Sequence, residues 1–321
     1  MRAPRVIYAL ILALFGLLLS ACQNEHRPAL RIATNPWPGY EFLHLAQMLG
    51  YYEEYGVQVK LLELASLNDS RVSFERGQAD GFTGTLIEVL MARQFSSRQP
   101  RIVLVTDYSN GGDVLIAKAS IADLDGLREK RVGVEPGTLN LYLLQRALET
   151  QGMKLSDVQL VGMNQEAMGP AMAADELDAA VTYPPFSVNM LEGASNHTLF
   201  TSREIPEEVL DVLVFDQSTI EQRADDIRAV LNAYAKAQDF ARRQPDKAYQ
   251  MMAARQHISA AEFARIVKED IRLIDKHEQA SFFPPSDKLL RSLERTQAVL
   301  RTSGDLDSSA PVQELIEGLA P

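Results

Sequence analysis

The sequence predicts an α/β fold of two lobes, built from two βαβαβ units joined through a hinge and followed by a helical C-terminal region. Three observations predict it. The same order of strand-like and helix-like segments occurs twice, the spacing from Arg31 to Asp80 nearly equals that from Arg131 to Asp178, and apolar residues beyond position 217 recur at helical spacing. One doubly wound sheet holding both units is the alternative that this order leaves open.

In the first unit, residues 31–34 read as a strand ending in a turn. A helix at about 41–55, a strand at 58–64, a helix around 69–77 and a strand at 79–83 follow. The second unit repeats the series with a strand at 131–134, a helix at about 140–151, a strand at 158–162, a helix around 165–176 and a strand at 177–182. Residues 101–108, followed by the polar turn 109–113, and residues 212–216 read as strands that cross between the units, out near Asp107 and back near Asp216. Lobe 1 is then 30–107 plus 216–321, and lobe 2 is 108–215. In the C-terminal region Ser218 is expected to cap a helix reaching about 244, with further helices near 246–255, 259–274, 286–301 and 312–319. Ile227, Val230, Leu231, Tyr234 and Ala237 lie on one face of the first of these and read as packing surface.

Composition narrows the class. At 46% hydrophobic and 23% charged residues over 321 positions, the chain has enough apolar material for one large or two medium cores, which excludes collagen, low-complexity disorder and a polytopic membrane protein. A formal charge of −11 argues against a binder of nucleic-acid backbones, so no nucleic-acid partner is expected. The single cysteine, Cys22, permits no internal disulfide, zinc cluster or CxxC pair.

The N-terminus carries a targeting signal. Arg2 and Arg5 precede the apolar run 6–19, too short for a comfortable membrane span, so residues 1–21 read as a secretory signal peptide. The run closes on Leu19-Ser20-Ala21-Cys22, which resembles the bacterial lipobox. That resemblance implies cleavage before Cys22, acylation of its thiol, a tether over 22–29 and a lipid bilayer as partner. A standard signal peptide cut nearby, with Cys22 incidental, is the other reading.

A family resemblance rests on Asn35-Pro36-Trp37-Pro38-Gly39-Tyr40-Glu41, Gly50-Tyr51-Tyr52, Ala79-Asp80-Gly81-Phe82, Gly111-Gly112-Asp113, Val132-Gly133-Val134-Glu135-Pro136-Gly137 and Tyr183-Pro184-Pro185. In order and separation these resemble the solute-binding proteins of ABC importers for nitrate, taurine, aliphatic sulfonates and thiamine-precursor pyrimidines, over about residues 30–220. The resemblance implies a type II periplasmic-binding fold and a small-molecule solute trapped by hinge closure. It also implies delivery to a membrane permease driven by an ATPase, on the extracytoplasmic face of a bacterial membrane.

Open α/β sheets bind ligands at the carboxyl ends of their strands. The corresponding loops are 34–41, 65–70, 83–88, 107–113, 135–140, 162–165 and 183–187, whose ionisable residues are Glu41, Asp69, Glu88, Asp107, Asp113 and Glu135, with Arg71 just beyond. An acid-rich cleft favours a cationic, zwitterionic or ring-bearing solute. Helix N-termini near 66–70 or 137–140 still allow a taurine-like zwitterion, and nitrate fits worst. The candidate ligand-binding residues are Trp37, Tyr40, Tyr108 and Tyr183 as rings; Asp113 and Glu135 as partners for an amino group; and Ser66, Asn68, Thr83, Thr85 and Thr138 as polar contacts or helix caps. Asp80 and Asp178 sit at the far ends of their strands and read as structural.

No enzyme signature is present. The histidines 26, 44, 197, 257 and 277 are scattered, HExxH, GxSxG and GxxxxGK[ST] are absent, and no cofactor or metal is expected. The cysteine-rich iron motif of the fungal pyrimidine synthase, which resembles these binding proteins, is also missing. A sensor that presents its closed form to a membrane signalling partner is the alternative to transport, because both need the same two-state element.

Overall fold

In the computed structural model, which describes residues 27–307 and 309–319, the strands form two separate sheets with helices packed around them. The segment 1–21, Cys22 and tether residues 22–26 lie outside the described residues. Among the described residues no helix is long and apolar enough to cross a membrane.

The first sheet is built on β1 (Leu30–Thr34), flanked in parallel by β2 (Val59–Glu63) and β3 (Gly81–Thr85). β4 (Pro100–Ser109) and β10 (Leu210–Asp216) extend it antiparallel, and β11 (Ile271–Leu273) closes the edge, in the order β11-β4-β10-β3-β1-β2. The second sheet repeats the pattern with β6 (Arg131–Val134) between β7 (Gln159–Gly162) and β8 (Ala179–Thr182), all parallel. Beyond β8 come the antiparallel strands β5 (Val114–Lys118) and β9 (Asn196–Thr201), in the order β7-β6-β8-β5-β9. Two sheets, and not one, hold the two units.

The repeat extends to side chains. The backbone N–H, Nε and Nη2 of Arg31 all donate to the Asp80 carboxylate, at 2.8, 3.2 and 2.6 Å. The same three groups of Arg131 donate to Asp178, at 2.9, 3.0 and 2.9 Å. Each clamp joins the start of a central strand to the turn entering its parallel neighbour, across sequence separations of 49 and 47. The pairs therefore fix strand register and stand away from the carboxyl ends of the strands.

Caps and glycines set the helix ends. The single helix expected at 41–55 is two, α1 (Glu41–Met48) and α2 (Tyr51–Glu54), because Gly50 takes φ +71° and stops the first. α3 (Leu67–Glu75) begins at Ser66, whose hydroxyl accepts from Asp69 N–H. α4 (Leu86–Phe95) begins in a capping box of Thr85 and Glu88. β3 runs on to Thr85, so Thr83 lies within the strand and not in a loop. In the second lobe α5 (Leu139–Glu149), α6 (Gln165–Ala173) and α7 (Phe186–Met190) follow.

The C-terminal region differs in detail from expectation. α8 (Gln217–Arg243) starts directly after Asp216, and Ser218 donates to the Asp216 carboxylate from within the first turn instead of capping. The five packing positions from Ile227 to Ala237 are all buried. α9 (Pro245–Arg255) and α10 (Ala260–Glu269) follow, the latter capped by Ser259. The helix expected to 274 ends at Glu269 because residues 271–273 pair with β4 as β11. After α11 (Lys288–Ser303), the expected helix at 312–319 is only a short 3-10 turn, Gln313–Leu315.

Two neighbouring crossings join the lobes. β10 belongs to the first sheet along its whole length, so the return crossing lies before Leu210, upstream of the 216 boundary drawn from sequence. At the crossings the Ser109 and Ser202 hydroxyls hydrogen-bond at 2.7 Å, Gly111 N–H donates to Ser202 Oγ at 2.7 Å, and Ser202 N–H donates to the Asp113 carbonyl at 2.9 Å. Gly111 has φ +115°, and a side chain there would strike the Arg203 guanidinium.

Candidate functional site

The carboxyl ends of both sheets face one another across the seam between the lobes. There, a cavity of about 10 Å³, room for about one water, is lined by Asn35, Trp37, Tyr40, Leu67, Thr85 and Asp211 from the first lobe and Asp113, Leu139 and Tyr183 from the second. The lobes are shut on each other. A wider groove of about 760 Å³ lies between α6, α7 and the end of β5, and shares none of the cavity's lining residues.

The aromatic walls are held from behind. Trp37 donates from Nε1 to Asp107 Oδ1 at 3.1 Å, and its ring meets Tyr183 edge-on with centroids 6.1 Å apart, one ring from each lobe. Tyr183 Oη accepts from Asn35 Nδ2 at 3.3 Å, and the Tyr40 hydroxyl donates to Asp211 Oδ1. The glycines of the sequence motifs make this packing possible. A Cβ on Gly39 would lie 2.0 Å from Asp107 Oδ2, and one on Gly112 would lie 2.7 Å from the Trp37 ring.

Five carboxylates lie buried at or just behind the cavity: Glu88, Asp107, Asp113, Glu135 and Asp211, each at most 3% exposed. Among the described residues none of them forms an ion pair; the nearby Arg71 is committed to Glu75 and to Asn68 Oδ1. Burial drives the protonation equilibria of Asp107, Asp113, Glu135 and Asp211. It lifts Asp113 to about 7, with the negative charge of Asp107 adding to the effect, and lifts Glu135 to about 7 against hydrogen bonds from Ser66 and Asn68. Asp107 and Asp211 face each other in register on β4 and β10. Burial raises Asp107 to about 7 and, with the Asp107 charge beside it, raises Asp211 well above the carboxylate range.

Two acids reach across the seam to helix N-termini. Glu135, from the second lobe, accepts through Oε1 from Asn68 N–H in the first turn of α3 at 3.1 Å. Glu88, from the first lobe, accepts through Oε1 from Leu139 N–H at the start of α5 at 2.9 Å, while its Oε2 accepts from Thr85 N–H at 2.7 Å. Each lobe thus places a carboxylate on the positive end of a helix of the other lobe.

Several buried polar atoms here have no partner: Asn35 Oδ1, Asp107 Oδ2, Asp113 Oδ2, Asp211 Oδ2 and Glu135 Oε2. Burying such atoms costs about 1–3 kcal/mol each unless something bonds them, so their concentration in one place marks a site to be filled.

Of the residues expected from sequence, Trp37, Tyr40, Thr85, Asp113 and Tyr183 line the cavity. Glu135 and Asn68 form one of the cross-lobe hydrogen bonds. Ser66 caps α3, and Thr138 caps α5 by accepting from Asn140 N–H while donating to the Glu135 carbonyl. Thr83 is fully buried on β3 and does not line the cavity. Tyr108 stands apart: its ring packs on Phe282, with Lys288 and Arg272 over its face, because its side chain leaves β4 on the side away from the seam. Glu41 also points elsewhere, accepting from Arg255 and Gln256 of the C-terminal region, and Asp69 is exposed.

Sequence reasoning missed Asn35, Leu67, Leu139 and Asp211 as cavity residues. Asp211 carried a signal, a charge inside the apolar strand 210–215. Among the described residues no group of His, Cys, Asp and Glu has the arrangement of a metal site.

The NMT1-like family matches residues 23–258. A binding protein of Brucella abortus is 26% identical over 148 residues, covering 44% of this chain and 45% of that protein, so the match spans about half the length of this curated relative. The alkanesulfonate-binding protein SsuA from Xanthomonas axonopodis pv. citri, solved bound to MOPS, superposes with a TM-score of 0.78 at 15% identity over 91% of this chain and 99% of that one. The periplasmic aliphatic sulphonate binding protein SsuA from Escherichia coli gives 0.73 at 16%, over 90% and 92%. The desulfurization enzyme DszB also shares the fold, with a TM-score of 0.64 at 15% identity over 90% of this chain and 96% of that one. At such identities the likeness is one of fold, and this fold hosts both binding and catalysis.

Proposed function

The chain belongs to the NMT1-like family, and from that premise we propose that it is the extracytoplasmic solute-binding component of an ABC importer, capturing a small amine, zwitterionic or pyrimidine-like solute between its lobes. The observation that carries this reading is the convergence of unpartnered buried polar atoms from both lobes, Asn35 Oδ1 and Asp211 Oδ2 from one and Asp113 Oδ2 from the other, on one cavity walled by Trp37, Tyr40 and Tyr183. A solute seated there touches both lobes at once. The cavity as it stands has room for about one water, so the lobes part to admit a solute and close on it in a wider form, and binding shifts the hinge equilibrium by its differential affinity for that form.

The SsuA relatives bind sulfonates and one of them is periplasmic, which supports an extracytoplasmic binding role without fixing the ligand. Trp37, Tyr40, Thr85, Asp113 and Tyr183 are the proposed solute contacts. Glu135 and Asn68, with Glu88 opposite, hold the lobes together. Residues 30–107 with 210–319, and the segment between the crossings, are the proposed moving bodies. Acylated Cys22 is the proposed membrane anchor, and a permease with its ATPase is the proposed partner.

A thermal-shift screen of amines, sulfonates and pyrimidines tests the reading. A true solute at a hundred times its Kd stabilises the protein by about 2.7 kcal/mol. A hit that leaves the lobes apart, read as a lasting growth of the small-angle scattering radius, counts against capture by closure. Cys22→Ala should release the protein from the membrane fraction, and its retention there counts against the anchor.

A further inference from the structure

Within the solute-binding reading, on which this inference rests, we propose that the solute is an organic ammonium that brings N–H donors and carries no oxyanion group. The cavity is a cage for a cation, and at the two helix N-termini that meet across the seam, those of α3 and α5, the chain's own carboxylates already accept a backbone N–H.

The first support is the balance of donors and acceptors. Of the unpartnered atoms of the cavity-lining residues, Asn35 Oδ1 is an acceptor at any pH, on a neutral amide only 5% exposed, and Asp113 Oδ2 and Asp211 Oδ2 are acceptors when those acids are ionised. A carboxylate can be silenced by a proton, but an amide oxygen can be satisfied only by a donor brought to it. The unpartnered donors nearby, Asn140 Nδ2, Arg71 Nε and the hydroxyls of Ser70, Thr83, Thr106 and Thr182, belong to residues that do not line the cavity. A ligand that satisfies this wall must be rich in N–H or O–H groups and poor in acceptors.

The second support is charge. Asp113 and Asp211 on the wall, with Asp107 and Glu135 close behind, form no ion pair among the described residues; burial favours their protonated forms, which a sulfonate or carboxylate beside them would reinforce, whereas a cation there favours the ionised forms. An ammonium meets opposite charges and also the rings of Trp37, Tyr40 and Tyr183, a combination suited to cation binding.

The third support is the state of the helix N-termini, the ordinary seats of oxyanions in such folds. At α3 the Asn68 N–H is bonded by Glu135, and at α5 the Leu139 N–H is bonded by Glu88, each acid coming from the opposite lobe. An incoming sulfonate would have to expel a carboxylate that cannot leave the seam while the lobes are shut. The same hydrogen bonds tie the two lobes together.

Calorimetry on the purified full-length chain with matched probes tests the proposal: benzylamine against phenylmethanesulfonate, 1-propylamine against 1-propanesulfonate, and taurine and zinc chloride alone. The expected result is heat of binding from at least one amine and none from its matched sulfonate. Asp113→Asn and Asp211→Asn should each weaken the amine at least tenfold while circular dichroism stays native. Using both variants guards against a loss that reflects misfolding of one. Sulfonate binding equal to or tighter than the matched amine, taurine binding without amine binding, or zinc binding without amine binding overturns the ammonium class and leaves the solute-binding reading standing. Amine affinity unchanged in both variants also overturns it, because the amine then sits elsewhere. Heat from none of the probes overturns the ammonium class as well; if the broader solute screen is then also blank, the solute-binding reading falls with it.

Discussion

Asp113→Asn should stabilise the ligand-free protein above neutral pH, the reverse of what removing a buried polar contact ordinarily does. Asp113 is 3% exposed, has an unpartnered Oδ2 and forms no ion pair among the described residues, so burial lifts it from its ordinary 3.8 to about 7. Between those two values the folded protein holds the proton more tightly than the unfolded chain does. Its contribution is therefore fully present below pH 3.8 and is lost as pH rises through about 7. Ionising the group at pH 8 without a partner costs about 4 kcal/mol by that linkage. Asparagine removes the charge but leaves an amide with unmade hydrogen bonds, an opposing cost of about 1–3 kcal/mol. The net expectation is a gain of about 1–3 kcal/mol at pH 8, and none or a small loss at pH 5, where the aspartic acid is already neutral. Urea unfolding of both proteins at the two pH values measures the difference directly. An equal loss of stability at pH 5 and pH 8 would refute the premise that an uncompensated charge is buried at the seam.

Three further outcomes follow from the same geometry. Trp37→Phe keeps a ring against Tyr183 while removing the Nε1 donor to Asp107, and should cost solute affinity only a few-fold; Trp37→Leu removes the ring and should cost about tenfold, read by calorimetry on the screened solute. Glu135→Gln should weaken a charged amine more than a neutral heterocycle and loosen the hydrogen bond to Asn68, so the ligand-free scattering radius should grow; equal losses for both ligands would take Glu135 out of the amine's field. Gly81→Ala sets a Cβ 2.3 Å from the Val214 carbonyl oxygen inside the first sheet and should destabilise by about 3 kcal/mol or more in thermal or chemical unfolding, with no preference for pH.

Much of the fold was written locally. The Ser66 and Ser259 caps and the buried stripe of α8 depend on residues close in sequence or on periodicity, and the Arg31–Asp80 and Arg131–Asp178 pairs, though 49 and 47 residues apart, recur at matching places in a repeated order, so the linear pattern carries such information. Where the pattern misled, a distant partner decided. Residues 271–273 leave a helical pattern because β4 offers an open edge, and β5 and β9 exist as strands through pairing with each other and, for β5, with β8. The site was legible as a set of loops and as an excess of acids, since strand ends and charged residue types can be read off directly.

What no string of residues could supply was the destination of each side chain. Tyr108 and Tyr183 have the same chemistry at comparable strand ends, yet one packs on Phe282 and the other closes the cavity, because strand twist and the hinge set their directions. Asp211 joins Asp107 only when two strands about a hundred residues apart become neighbours. Glu88 and Glu135 become latches only when the lobes meet, since each needs a helix end belonging to the other half. The sequence by itself determined that two similar α/β units would form and that acids would gather at their strand ends. The tertiary structure decided that those acids would be buried together without a countercharge, because desolvation is a property of what surrounds a group and not of the residues next to it in the chain.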